Sequence, residues 1–138
     1  AKALRESCKS LQGGTTFVCS QYQASDEIFR TFDKVMVLQS DDSGNGQHRP
    51  SRCIYFGSTD TNVLQKYFSG IGYAKPDQWS WPDFLGTLGF DTGRRRLNSL
   101  ESRRESIVGR VPTTTRDFAE AFEFNTLGQD NKLLVRTN

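Results

Sequence analysis

An α/β fold with a mostly parallel sheet is predicted by this sequence, from the order of three apolar runs. Thr15 to Ser20 is β-branched and aromatic, and a helix signal separates it from a second run, Lys34 to Leu38. A third run, Arg52 to Phe56, is followed by another helical stripe. Alternation of strand and helix is the pattern of parallel βαβ units.

The elements follow in order. Ala3, Leu4, Cys8 and Leu11 recur at helical spacing, and Gly13-Gly14 stop that helix because glycine takes the left-handed conformation past a helix end at little cost. The next helix begins near Ala24 or Ser25, where a serine cap precedes two first-turn carboxylates, Asp26 and Glu27. Ile28, Phe29 and Phe32 form its apolar face. The almost wholly apolar run that follows, Lys34 to Leu38, predicts a strand covered on both sides.

Asp41 to Ser51, "DDSGNGQHRPS", is rich in turn-formers and reads as an exposed loop. Gly57 closes the third strand, and Val63, Leu64, Tyr67 and Phe68 give the stripe of a helix that ends at Gly70 and Gly72. A short helix is predicted over Pro82 to Leu88, with the proline in its first turn. From Asp91 to Arg110 basic residues dominate and aromatics vanish, so this span reads as a linker or solvated helix. Phe118, Ala121 and Phe122 mark a last amphipathic helix capped within Thr113 to Thr115.

With 138 residues there is room for one core. Lys+Arg number 18 against 16 Asp+Glu, a balance that by itself points to neither nucleic acid nor an anionic membrane. The apolar content of 35% is low for a globular chain, so the core is expected to be incomplete. No apolar run reaches the roughly 20 residues that span a bilayer, and the first residues lack a signal-peptide apolar stretch. The first residue is Ala1 rather than methionine, which suggests processing or a piece of something longer.

Chemistry-bearing patterns are sparse. Cys8, Cys19 and Cys53 form no CxxC pair, and His48 is the only histidine that could join them, so no metal site is expected and Cys19 and Cys53 read as reduced thiols in strands. Gly44-Asn45-Gly46 is not followed by the lysine and serine of a phosphate-cradling loop, and with His48 in loop-like sequence no nucleophile, base and orienter set assembles. The segment from Arg94-Arg95-Arg96 to Arg103-Arg104 could touch phosphates but has no interleaved aromatics to stack bases. Trp79 and Trp81 are either an exposed contact surface or a packing cluster beside Pro82 and Phe84. Tyr22-Gln23, two polar tips at the end of a predicted strand, are either a ligand-facing edge of an α/β sheet or a tyrosine hydroxyl reaching solvent.

Three stretches, Tyr22-Gln23-Ala24-Ser25, Phe32-Asp33-Lys34-Val35 and Ile54-Tyr55-Phe56-Gly57, occur in that order, followed by Trp81-Pro82-Asp83-Phe84-Leu85. This series closely resembles the end of the first nucleotide-binding domain of fungal pleiotropic-drug-resistance ABC transporters, the full-size ABCG-like class, and the likeness runs from Ala1 to about Phe124. It implies part of a P-loop-NTPase-like (ABC ATPase) sheet with flanking helices, then a basic linker and a short helix. Residues 1–90 would be the C-terminal portion of the nucleotide-binding domain, with 41–51 an inserted loop, and 91–138 a linker and helix leading toward a transmembrane domain.

The resemblance also implies a role for the strand end. Tyr22 looks like the residue at the switch-histidine position, which in active sites of the family contacts the γ-phosphate and helps organise the attacking water. A tyrosine hydroxyl with a pKa near 10 is a poor base at neutral pH, which suits a degenerate site that binds ATP and hydrolyses it weakly. Tyr22 and Gln23 are thus the candidate cofactor-binding residues, and Tyr22 the candidate catalytic one. ATP and Mg2+ are the implied cofactors of the full-length parent, with none expected for this chain alone.

The expected partners are the remainder of the same nucleotide-binding domain, the second such domain and the transmembrane domains, at the cytosolic face of a membrane, the plasma membrane in the parent. Nucleic acid is not expected. Walker A, the signature motif and Walker B are expected to lie before Ala1. The alternative is a small stand-alone interaction protein derived from that domain.

Overall fold

The computed structural model describes residues 2–10, 14–40, 51–100 and 111–125. Helix α1 (Lys2–Ser10) comes first, and the stretch 14–20 is irregular and exposed throughout. A five-residue helix, α2 (Asp26–Arg30), follows, and then strands β1 (Lys34–Ser40) and β2 (Ser51–Ser58). Helices α3 (Thr61–Gly70), α4 (Trp81–Leu88), α5 (Asp91–Leu100) and α6 (Thr115–Phe124) complete the order.

The sheet corrects the parallel expectation. β1 and β2 form a two-stranded antiparallel pair running from Lys34↔Ser58 to Ser40↔Ser51, with a bulge between Val37 and Leu38. Thr15 to Ser20 carries no regular secondary structure and no described strand pairs with it, so Cys19 is exposed outside any sheet while Cys53 lies in β2. The expectation that Lys34 to Leu38 is covered on both sides also fails: Met36 is 56% exposed and Leu38 61%. The predicted loop falls almost wholly on 41–50, outside the described residues, and its last residue, Ser51, opens β2.

The caps at Ser25 and Thr114 match the sequence reading, and two further caps, Asp60 and Ser80, come from the structure. Ser25 caps α2 by accepting from Ile28 N, and Asp60 caps α3 through Asn62 N and Val63 N. Ser80 caps α4, whose first turn holds Pro82. Thr114 and Asp117 form a reciprocal capping box on α6, each side chain taking the other's backbone N–H. After α3, Gly72 turns the chain at φ +98, where a Cβ would stand 2.8 Å from the Val111 side chain.

The core is aromatic and gathers β2, α3, α4 and α6. Tyr55, Tyr67, Phe68, Trp81, Phe84, Phe118 and Phe122 are all buried. Phe68 meets Tyr67 edge-on at 5.0 Å between centroids and Phe84 edge-on at 5.5 Å, and Tyr55 reaches Tyr67 at 5.1 Å. Such tilted and edge-to-face pairs add about 0.5–1.5 kcal/mol each beyond the area they bury. The tyrosine hydroxyls find carbonyls: Tyr55 Oη donates to Ser58 O, Tyr67 Oη to Ile54 O and Tyr73 Oη to Pro112 O.

The first half of the span from Asp91 is a helix, one of the two expected forms, but it is not wholly solvated. α5 turns Arg94, 3% exposed, and Leu97 inward. Gly93 permits this, since a Cβ there would fall 2.1 Å from the Thr87 carbonyl oxygen of α4. Arg94 Nη1 and Gln39 Nε2 donate to one acceptor, Leu88 O, at 3.0 and 2.8 Å, so the end of α4 ties β1 to α5. The guanidinium lies 6.0 Å from the Phe118 ring, and that of Arg96 lies 5.7 Å from Trp79. Aromatic partners absent from the local sequence are supplied by the fold.

Candidate functional site

The residues that point to chemistry lie between the stretch 14–20 and α2. Tyr22 is 90% exposed, and Gln23 takes φ +52, a left-handed backbone that a non-glycine residue adopts at some cost. This kink turns the chain into Ser25, whose cap fixes the start of α2.

The stretch is anchored immediately after the kink. Asp26 Oδ1 accepts from Trp81 N at 3.2 Å, and its other oxygen pairs with Arg30 Nη2 at 2.8 Å. One carboxylate thereby joins the first turn of α2 to the first turn of α4, and buried Phe29 holds the inner face of α2. Sequence alone reads Asp26 as a first-turn carboxylate. Its partner, 55 positions away, leaves no local signal.

The other candidates separate. Trp81 is 2% exposed and packs edge-on to Phe84 at 5.6 Å, so the tryptophan pair resolves as a packing cluster. Lys75 closes its rim, with Nζ donating to Trp79 O at 2.6 Å and lying 5.6 Å from the Trp81 ring. Cys53 is half-buried, and burial pushes its thiol above the ordinary value. Burial likewise pushes the Tyr55 phenol up to about 12 and raises that of Tyr67, which bars both from acid–base work near neutrality. His48 and Arg103-Arg104 lie outside the described residues.

What the segment before α2 offers is a pair of polar tips, the Tyr22 phenol and the Gln23 carboxamide. Among the described residues no group of three His, Cys, Asp or Glu side chains stands close enough to hold a metal ion. These residues alone do not fit a magnesium nucleotide, and no catalytic step follows from them. No described helix is long and apolar enough to cross a membrane.

No protein-family model matches the chain, and no solved structure matches it. The chain is similar to curated proteins along most of its length. It is 33% identical over 130 residues to ABC transporter G family member 11 of Dictyostelium discoideum, a match covering 94% of this chain and 8% of that protein. ABC transporter G family member 17 of the same organism is 36% identical over 132 residues, 96% of this chain and 8% of its own length. ABC multidrug transporter atrG of Aspergillus oryzae is 33% identical over 128 residues, 86% of this chain and 7% of that protein. The chain thus spans less than a tenth of the relatives it matches.

Proposed function

We propose that the chain is the C-terminal portion of a nucleotide-binding domain of an ABC transporter of the G type, of the pleiotropic-drug-resistance class, and that its parent couples ATP binding and hydrolysis to export of hydrophobic compounds. The observation that carries this reading is the extent of the likeness: it covers from 86% to 96% of the chain in transporters from two organisms, rather than one short motif. Residues 1–90 then belong to the ATPase domain, and 91–138 lead toward the membrane part.

On this reading Thr15 to Ser20 is an inner strand of an ABC ATPase sheet whose other strands belong to the parent. The exposure of these residues is compatible with cover supplied by other segments of a longer parent. Tyr22 holds the switch position at the strand end, with Gln23 beside it, next to ATP and Mg2+ gripped by the rest of the parent at the cytosolic face of the membrane. The exposure of Tyr22 supports this, since a residue that meets a nucleotide held by other segments must project from its own.

Reading the transcript upstream of the Ala1 codon tests the proposal. An in-frame GxxxxGK[ST] loop and signature motif are expected, whereas a start codon directly before Ala1 would overturn the proposal in favour of a stand-alone interaction protein. In the full-length parent, Tyr22→Ala should leave most ATPase activity intact and Tyr22→His should change it by less than about tenfold, because groups acting as a unit do not contribute singly. A loss of about a hundredfold in the alanine variant, with nucleotide binding preserved, would make Tyr22 a working catalytic residue instead.

A further inference from the structure

The core does not end where the basic span begins. Residues 111–124 follow that span in sequence, yet they are fastened at successive points to elements that precede it. At the start Val111 packs onto the turn at Gly72, where a Cβ would stand 2.8 Å from it, and Tyr73 Oη donates to Pro112 O. One step on, Thr115, 1% exposed, donates from Oγ1 to Ser40 O at 3.1 Å and so holds the end of β1. In mid-helix Phe118 meets the Tyr73 ring at 5.2 Å and the Arg94 guanidinium at 6.0 Å. Phe122 then closes over Tyr55 and Tyr67.

A spacer does not make contacts of this kind. α6 has 10 residues, and an isolated helix shorter than about 12–15 residues is marginal in water, so its form depends on the core it touches. α5, before the span, is held as well, through buried Arg94 and Leu97. Residues 101–110 therefore join two points of one body. Beyond Phe122, the last buried side chain of α6, the chain leaves helical geometry at Asn125, whose ψ is 146.

We infer that segment 111–124 is the anchor by which the nucleotide-binding unit holds the chain running on toward the membrane part, with Thr115 and Phe118 as its positioning residues. The free length of that connection then counts from Asn125 and not from Asp91. This rests on the transporter reading and narrows its second part, because α5 and α6 stay with the ATPase unit. A flexible span from 91 to 125 would have a root-mean-square reach of roughly 30–35 Å and would absorb a small displacement of either body. An anchored one passes the displacement on.

Hydrogen exchange on the 138-residue chain tests the anchor whatever the parent does with nucleotide. The Phe122 amide of α6 is expected to exchange within about tenfold of the Phe68 amide of α3, since both open with the same core. Phe118→Ala should speed both by a similar factor. A Phe122 amide about a hundredfold faster than that of Phe68, or a Phe118→Ala effect confined to α6, would overturn the inference. In the full-length parent, about ten glycine and serine residues are inserted either between Glu105 and Ser106 or directly after Asn125, and export of a hydrophobic fluorescent dye is measured per ATP hydrolysed. The first insertion about doubles a connection whose ends are both fixed, which should lower the folding equilibrium constant only about threefold and leave export per ATP unchanged. The second adds slack and should lower export per ATP at least about threefold. Equal effects, or the reverse order, would overturn the inference. No dye export by the unmodified parent would instead strike the transporter reading, and the exchange result tells the two failures apart.

Discussion

Phe17 and Val18 are as apolar as Phe68 and Phe84, yet the first pair stands in solvent and the second is sealed. The difference lies in partners. Phe68 finds Tyr55, Tyr67 and Phe84 within 5.6 Å between centroids, all supplied by elements of this chain. The stretch 14–20 has strand-forming residues, but the described residues provide no neighbouring strand to complete its backbone bonds. Apolar sequence therefore sets a tendency to be covered, and the rest of the chain decides whether it is.

Substitution at the two regions gives the largest contrast. Phe68→Ala is expected to cost about 3–5 kcal/mol in denaturant unfolding, through lost transfer energy and a residual cavity. Val18→Ala should stay within about 0.5 kcal/mol, as exposed positions do. Equal losses at both sites would break the contrast and show that the stretch 14–20 is covered in solution.

A smaller effect is expected at the junction between the regions. Asp26→Ala removes the acceptor of Trp81 N and the partner of Arg30, and should cost about 1–2 kcal/mol. Asp26→Asn keeps an acceptor oxygen and should lose about half as much. A loss near zero for the alanine variant would mean that the stretch 14–20 is tethered elsewhere.

The smallest effect concerns acid. Burial pushes the Asp117 carboxyl up, but hydrogen bonds from the Thr113 and Thr114 backbone and side chains outweigh this and hold it below the ordinary value. The folded state therefore keeps the carboxylate charged at a pH where the unfolded chain has begun to protonate it. This contribution is complete above the unfolded value and is lost as pH falls through the lowered folded one. Asp117→Asn should flatten stability against pH below about pH 4, seen by thermal melts across an acid series. An unchanged slope would remove the α6 cap from the account of acid sensitivity.

Much of the helical half is legible in the sequence because caps and stripes are local signals. Ser25 and Thr114 sit where their side chains accept from the next turn, and Leu64, Tyr67 and Phe68 of the α3 stripe bury as its spacing predicts. The sheet was less legible. An apolar run such as Lys34 to Leu38 does not encode which strand will lie beside it, and here the neighbour is the next strand in sequence, on one side only. The sequence reads Arg94 as solvated because its partners, Leu88 O and Phe118, belong to other elements. The sequence offers Tyr22 beside Gln23 only as a candidate position, and the contact of Asp26 with Trp81 that anchors the adjacent helix has no local signal.

The return of α6 onto β2 has a consequence for a chain made from its N-terminus onward. Tyr55 and Tyr67 both face Phe122, at 6.2 Å between centroids, so the apolar surface around them stays open until α6 has left the ribosome. At ~5–20 residues added per second, that interval runs from a few seconds to about ten. During it the nascent chain presents an aromatic surface to whatever is near, and a chaperone able to shield tyrosine and phenylalanine would meet it before α6 does.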